Sequence, residues 1–297
     1  FATGRFELVA AGGGAVTLGA GAILAGTWRT FLEATRRDAI AWSFPAAVSW
    51  LGATLLFGVM LALNRRAPFL PWSMVDLLRA HAHVGLAGFF LTLLQGATFQ
   101  LVPMFTMAEL RGAAYVRAGF GLTQVGMLTL IPGLAVGLRW LELAGAALVV
   151  AGVACSGVAL VATLRSRRRR VLDPGLKAFG LGAALLALAA GGGMMLLLRR
   201  EADAGAWAGA SAYGVVIIAG ALSFMILGML CKIIPFLVWM KTYGPRVGRV
   251  PVPLATALGS RPLEQAWLGL HGTALGMLLA GVLAARLLAR QHDVSVQ

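Results

Sequence analysis

Four histidines stand in this chain, and their surroundings differ. His81 and His83 lie in Arg79-Ala80-His81-Ala82-His83-Val84-Gly85, at the start of a long apolar run; His271, in Leu270-His271-Gly272, lies about two turns into another. His292 neighbours Asp293 in a polar tail, where solvation accounts for it. An ionisable side chain inside a membrane span is costly enough that function is the first hypothesis for it. Imidazole is a ligand for haem iron, copper or zinc. At ~100° per residue on a helix, His81 and His83 point about 200° apart, so one metal cannot take both from a regular helix. They serve two sites, or one binds while the other hydrogen-bonds, or both are wetted at the outer membrane boundary.

Other polar candidates are fewer. Lys232 precedes Pro235 inside an apolar run that ends Trp239, Lys241, Tyr243, so it either snorkels to the inner headgroups or forms a proton or anion site with Gln100. Met104 with Met107 and Met225 with Met229 have helical spacing that suits Cu(I), although packing explains them as well. Cys155 and Cys231 have no CxxC or CxxCH spacing and read as packing residues. The carboxylates fall in loops or at helix ends, which weighs against a proton pump, and no Walker loop, GxSxG or HExxH supports a hydrolase or ATPase. No catalytic residue is identified.

Membrane helices must position these side chains. Hydrophobic residues are 59% of the 297, charged residues 12%, and the mean hydropathy is +0.84; a soluble domain needs far more polar surface. Apolar blocks long enough to cross a ~30 Å hydrocarbon layer cover residues 7–26, 39–62, 79–105, 118–138, 141–164, 176–198, 209–239 and 265–288. The expected fold is therefore all-α, a polytopic bundle of about eight transmembrane helices in one domain, 1–297. Trp42, Trp50, Trp72, Trp140, Trp207, Trp239 and Trp267 read as interfacial anchors. Loops after odd-numbered helices carry fifteen Arg and Lys against nine in the other loops and tails, which places the odd loops in the cytoplasm. The run Arg167 to Arg170 is then a topology signal and a contact for anionic lipid, not a nucleic-acid site.

A repeat is also visible. Gly96-Ala97-Thr98-Phe99-Gln100-Leu101-Val102-Pro103 and Gly228-Met229-Leu230-Cys231-Lys232-Ile233-Ile234-Pro235 both read G-x-x-x-[QK]-[LI]-[VI]-P, with no gap needed to align them. They lie four helices apart in order, so the repeats are parallel, with units of approximately 39–165 and 170–297. At the repeat position of His81 stands Tyr213, and at that of His83 stands Val215.

His81-Ala82-His83-Val84-Gly85-Leu86-Ala87-Gly88-Phe89, continuing to the Gly96–Pro103 motif, resembles the haem-ligating helix of the catalytic subunit (subunit I) of haem-copper oxidases. The C-family enzymes come nearest, with H-x-H-x-G-x-x-G and an ending G-A-x-aromatic-x-L-V-P. The resemblance implies arcs of four helices, His81 and His83 as ligands of haem iron on two sides of one helix, and Gly85 and Gly88 giving room for a macrocycle or a close helix. The family also needs a further histidine for the low-spin haem and three for copper, which this chain lacks, so no complete copper site is implied. His271 is a poor axial partner: it starts from the opposite membrane face and lies ~15 to 20 Å from His83 along the membrane normal. Either the helix count differs, or a partner or a segment before Phe1 supplies the ligand, or the haem is five-coordinate and binds a diatomic gas.

The expected function is a haem b protein of a bacterial-type inner (cytoplasmic) membrane, carrying electrons or binding O2 or NO, with other respiratory subunits or a redox partner. NnrS-type proteins of nitric-oxide metabolism are a neighbouring group by the same resemblance. The alternatives are a repeat-built transporter for a small molecule or metal and a cofactor-free structural subunit of a respiratory complex. Gln100, Lys232, Tyr213 and His271 are the polar-site candidates common to these readings.

Overall fold

Long apolar stretches satisfy their backbone in a bilayer only as helices or closed barrels. The structure, a computed structural model describing residues 6–168, 171–199 and 204–295, consists of eight long helices, with no strand among the described residues. They are α1 (Phe6–Glu33), α2 (Ala39–Arg66), α3 (Met74–Thr106), α4 (Ala113–Val136), α5 (Arg139–Arg165), α6 (Pro174–Arg199), α7 (204–242) and α8 (Arg261–Ser295). Among the described residues, the seven helices from α2 to α8 are long and apolar enough to cross a membrane. The protein is thus an all-α, multi-pass membrane protein. Arg169, Arg170 and Arg200 lie outside the described residues, as do the side chains of Trp207 and His292.

The helix ends follow from local chemistry. Asp38 caps α2 by accepting the Ala41 N–H at 3.0 Å, and Asp173 caps α6 by accepting the Leu176 N–H at 3.1 Å. Asn64 closes the other end of α2, its Oδ1 taking the N–H groups of Phe69 and Leu70 at 2.8 Å each. That amide holds the proline-containing loop that leads to α3, which starts at Met74, earlier than the apolar run suggests.

The chain forms two compact units, Phe1–Arg168 and Arg169–Gln297. In the first, α4 and α5 meet through glycine. A Cβ on Gly126 would lie 2.8 Å from Val149 N, and one on Gly133 would lie 2.6 Å from Glu142 N, so neither position admits a side chain without moving backbone. The α2–α3 crossing is also close, a Cβ on Gly96 falling 2.6 Å from Ser43 Cβ. In the second unit α6 crosses α7 so tightly that a Cβ on Gly228 would lie 2.6 Å from Gly175 O. The alignment that sets Gly96 on Gly228 also sets Ser43 on Gly175, so the sequence repeat places both partners of each crossing.

Both crossings carry a second shared feature. α3 switches to π-helical geometry over Val84–Leu91 and α7 over Val216–Leu222, and the same alignment sets the first residue of one segment on the first residue of the other. A π segment inserts an extra residue per turn and swings everything beyond it around the axis.

Candidate functional site

His81 and His83 occupy the last turn of α3 before its π segment. His83 Nδ1 lies 2.8 Å from the Arg79 carbonyl oxygen. A carbonyl has no proton to give, so Nδ1 of the neutral ring carries the hydrogen and Nε2 the lone pair. This is the arrangement that orients a metal-ligating histidine. Arg79 itself is paired with Asp76 at 3.0 Å. His81 is turned toward α2. Its ring stands edge-on to Phe57, with centroids 5.8 Å apart, and a Cβ on Gly58 would be 3.2 Å from His81 Cε1. His81 Nδ1 is buried with no hydrogen-bond partner among the described residues, an arrangement that costs stability unless something absent from the polypeptide satisfies it.

The glycines behave differently from a cradle. A Cβ on Gly88 would meet the Trp50 indole at 2.9 Å, and one on Gly85 would meet Thr54 Cγ2 at 3.3 Å. Of the two uses expected for them, close helix packing is the one observed. Trp50 is correspondingly no interfacial anchor: it sits in mid-helix and donates from Nε1 to Gln124 Oε1 at 2.8 Å. Gln124 Nε2 in turn donates to Thr92 Oγ1 at 2.9 Å. A haem therefore fits the histidine donors of this site but not its glycine face, which α2 fills.

Gln100 belongs to the first unit, and the three polar candidates of the second do not converge on one another. Gln100 is exposed and lines a cleft of the first unit whose walls include Pro45 and Pro103. Lys232 does not snorkel: it is ion-paired with Asp173, the two side chains only 9% and 12% exposed. Glu264 shares that neighbourhood. Tyr213 covers Gly193, where a Cβ would be 2.8 Å from its ring, and is separated from Lys232 by ~28 Å of helix. His271 donates from Nε2 to the Ala219 carbonyl at 2.8 Å, inside the π segment of α7. Its ring lies edge-on to Phe224 and stacked on Trp267, with centroids 4.5 and 5.9 Å apart.

Met225 and Met229 are buried packing residues, whereas Met104 and Met107 are exposed. Among the described residues no group of three or more His, Cys, Asp or Glu could hold a metal ion.

The composition gave no hint of two polar networks between the helices. One is the Trp50–Gln124–Thr92 relay. In the other, Gln95 Nε2 donates to Thr123 Oγ1 at 2.9 Å and Ser156 Oγ at 3.1 Å, tying α3 to α4 and α5. Their signal in the sequence is a row of glutamines and hydroxyls inside apolar blocks. Such a row becomes informative only once the facing helices are known. Set against protein-family models, curated proteins and solved structures, this chain matches none.

Proposed function

We propose that this chain is a membrane haem b protein, with His83 as the principal axial ligand and His81 as the second haem-binding histidine on the other side of α3. The observation that carries the reading is the His83 Nδ1 hydrogen bond to Arg79 O, which presents Nε2 as a lone-pair donor. The orphaned Nδ1 of His81 adds to it. Haem bound there would supply one-electron transfer or a site for O2 or NO. The polypeptide fixes the ring of His83 through Arg79 O, and Phe57 packs edge-on against the ring of His81. The same reading places the chain in a bacterial-type inner membrane beside a redox partner, and the resemblance to haem-copper oxidases supports it. The transporter reading has a specific observation of its own: two interrupted helices at equivalent places.

An optical spectrum of the full chain, expressed with haem and purified in mild detergent, tests the proposal. A Soret band that His83→Ala abolishes and His81→Ala shifts or halves is the expected result. No Soret band in either redox state would leave the transporter or a cofactor-free subunit. An unchanged band in both variants would clear both histidines of ligation.

A further inference from the structure

The cleft around Gln100 is independent of the histidine site. It encloses about 910 Å³ between α1, α2 and α3, within the range of sites that hold small amphipathic molecules. By the arginine bias it opens at the cytoplasmic end of the first unit. Its walls include Phe31, Phe44 and Phe99. Besides the hydroxyls of Thr27 and Thr30 and the Arg36 guanidinium, it offers acceptors. Pro45 and Pro103 have no N–H to return to the carbonyls of Ala41 and Phe99, and all four residues line the cleft. The Gln100 amide has no hydrogen bond to any described residue. Arg36 and Asp38, paired at 3.1 Å, stand at the mouth.

The second unit shows what happens when such a gap is closed. In the repeat alignment Ala41 and Gln100 correspond to Asp173 and Lys232, and those two form the buried ion pair. Where the second unit brings its own cation and anion together, the first leaves a small side chain, an amide and an open volume. What complements that volume is a molecule carrying its own ammonium donor, its own anion and an apolar body.

We propose that the cleft binds one aminophospholipid of the inner leaflet, of the phosphatidylethanolamine type. The primary ammonium donates to Asp38, Gln100 Oε1 and the carbonyls of Ala41 and Phe99. The phosphate is met by Arg36, and the acyl chains run along Phe31, Phe44 and Phe99. Donation requires N–H bonds, so the trimethylated head of phosphatidylcholine does not substitute.

Native mass spectrometry of the full chain, delipidated and re-offered single lipids, decides the matter. One phosphatidylethanolamine is retained per chain, with roughly tenfold weaker retention of phosphatidylcholine, the effect of losing one charge-assisted hydrogen bond. Phosphatidylglycerol, which has no ammonium, is also weaker. Ala41→Asp with Gln100→Lys, which copies the ion pair of the second unit, abolishes retention, and Gln100→Leu weakens it severalfold. Equal retention of phosphatidylethanolamine and phosphatidylcholine, a preference for phosphatidylglycerol, or undiminished binding in a folded double variant would overturn the proposal. If the double variant does not fold, the headgroup series on the unaltered chain and Gln100→Leu decide by the same criteria.

Discussion

The two units place the same backbone around different chemistry. Each has a helix that turns π-helical at an equivalent residue and, shortly beyond that segment, a glycine pressed against the preceding helix, Gly96 in one and Gly228 in the other. Yet His81 is replaced by Tyr213 and His83 by Val215. Since the π segment persists without the histidines, it belongs to the packing of the repeat and was not imposed by a ligand. The histidines are additions to a scaffold that already interrupts the helix. In the second unit the interruption has another use: the Ala219 carbonyl inside it accepts from His271 of α8.

The largest effect that would sharpen this comparison is at the ion pair. Lys232→Met leaves Asp173 buried without its cation and lowers stability by about 3 to 5 kcal/mol, whereas adding Asp173→Asn restores most of the loss. The counterpart change in the first unit, Gln100→Lys, stays within about 0.5 kcal/mol because that side chain is exposed. Denaturant unfolding in detergent, run as a double-mutant cycle, measures all of these, and equal costs in the two units would erase the distinction.

A smaller effect separates the glycine crossings. Gly96→Ala and Gly228→Ala each cost about 1 to 3 kcal/mol by overpacking. The first is relieved by Ser43→Gly, since the obstruction is Ser43 Cβ, while the second meets backbone at Gly175 O and Phe179 N and has no such remedy. Failure of Ser43→Gly to rescue would show that the crossing in the first unit is limited by something else. Smaller still, His271→Phe keeps the ring against Trp267 but leaves the Ala219 carbonyl without its donor, at a cost of about 1 to 2 kcal/mol. A neutral substitution, read by the same unfolding measurement, would mean that the π segment satisfies that carbonyl itself.

Helix number and most boundaries were legible because charge and apolar block length carry them; residues 39–62, for example, became Ala39–Arg66. The repeat was legible through glycine, proline and spacing. The π segments were not: Val84–Leu91 and Val216–Leu222 share the pattern V-x-[LI]-A-G, but neither contains a residue that dictates an extra one per turn. Of the two readings open for Lys232, snorkelling is the one its buried ion pair excludes. Its partner stands on a different helix, and the proximity follows only from the Gly175–Gly228 contact. His81 and His83 could be picked out as a pair, but which ring nitrogen carries the proton depends on Arg79 O. Trp50 looked like an anchor because its type suits the interface, while its hydrogen bond to Gln124 needs the fold to be seen.

The Asp173–Lys232 pair also bears on how two such units can diverge from a common ancestor. Starting from a cleft like that of the first unit, the pair cannot arise in one substitution, and the two orders of change are not equivalent. Lysine first is tolerable, because a long stem can carry its charge to water. Aspartate first puts a short, fixed carboxylate beside apolar walls with no such escape. Sequences that hold the cation without the anion are therefore the intermediates a lineage would leave behind, and those with the anion alone are the ones it would lose.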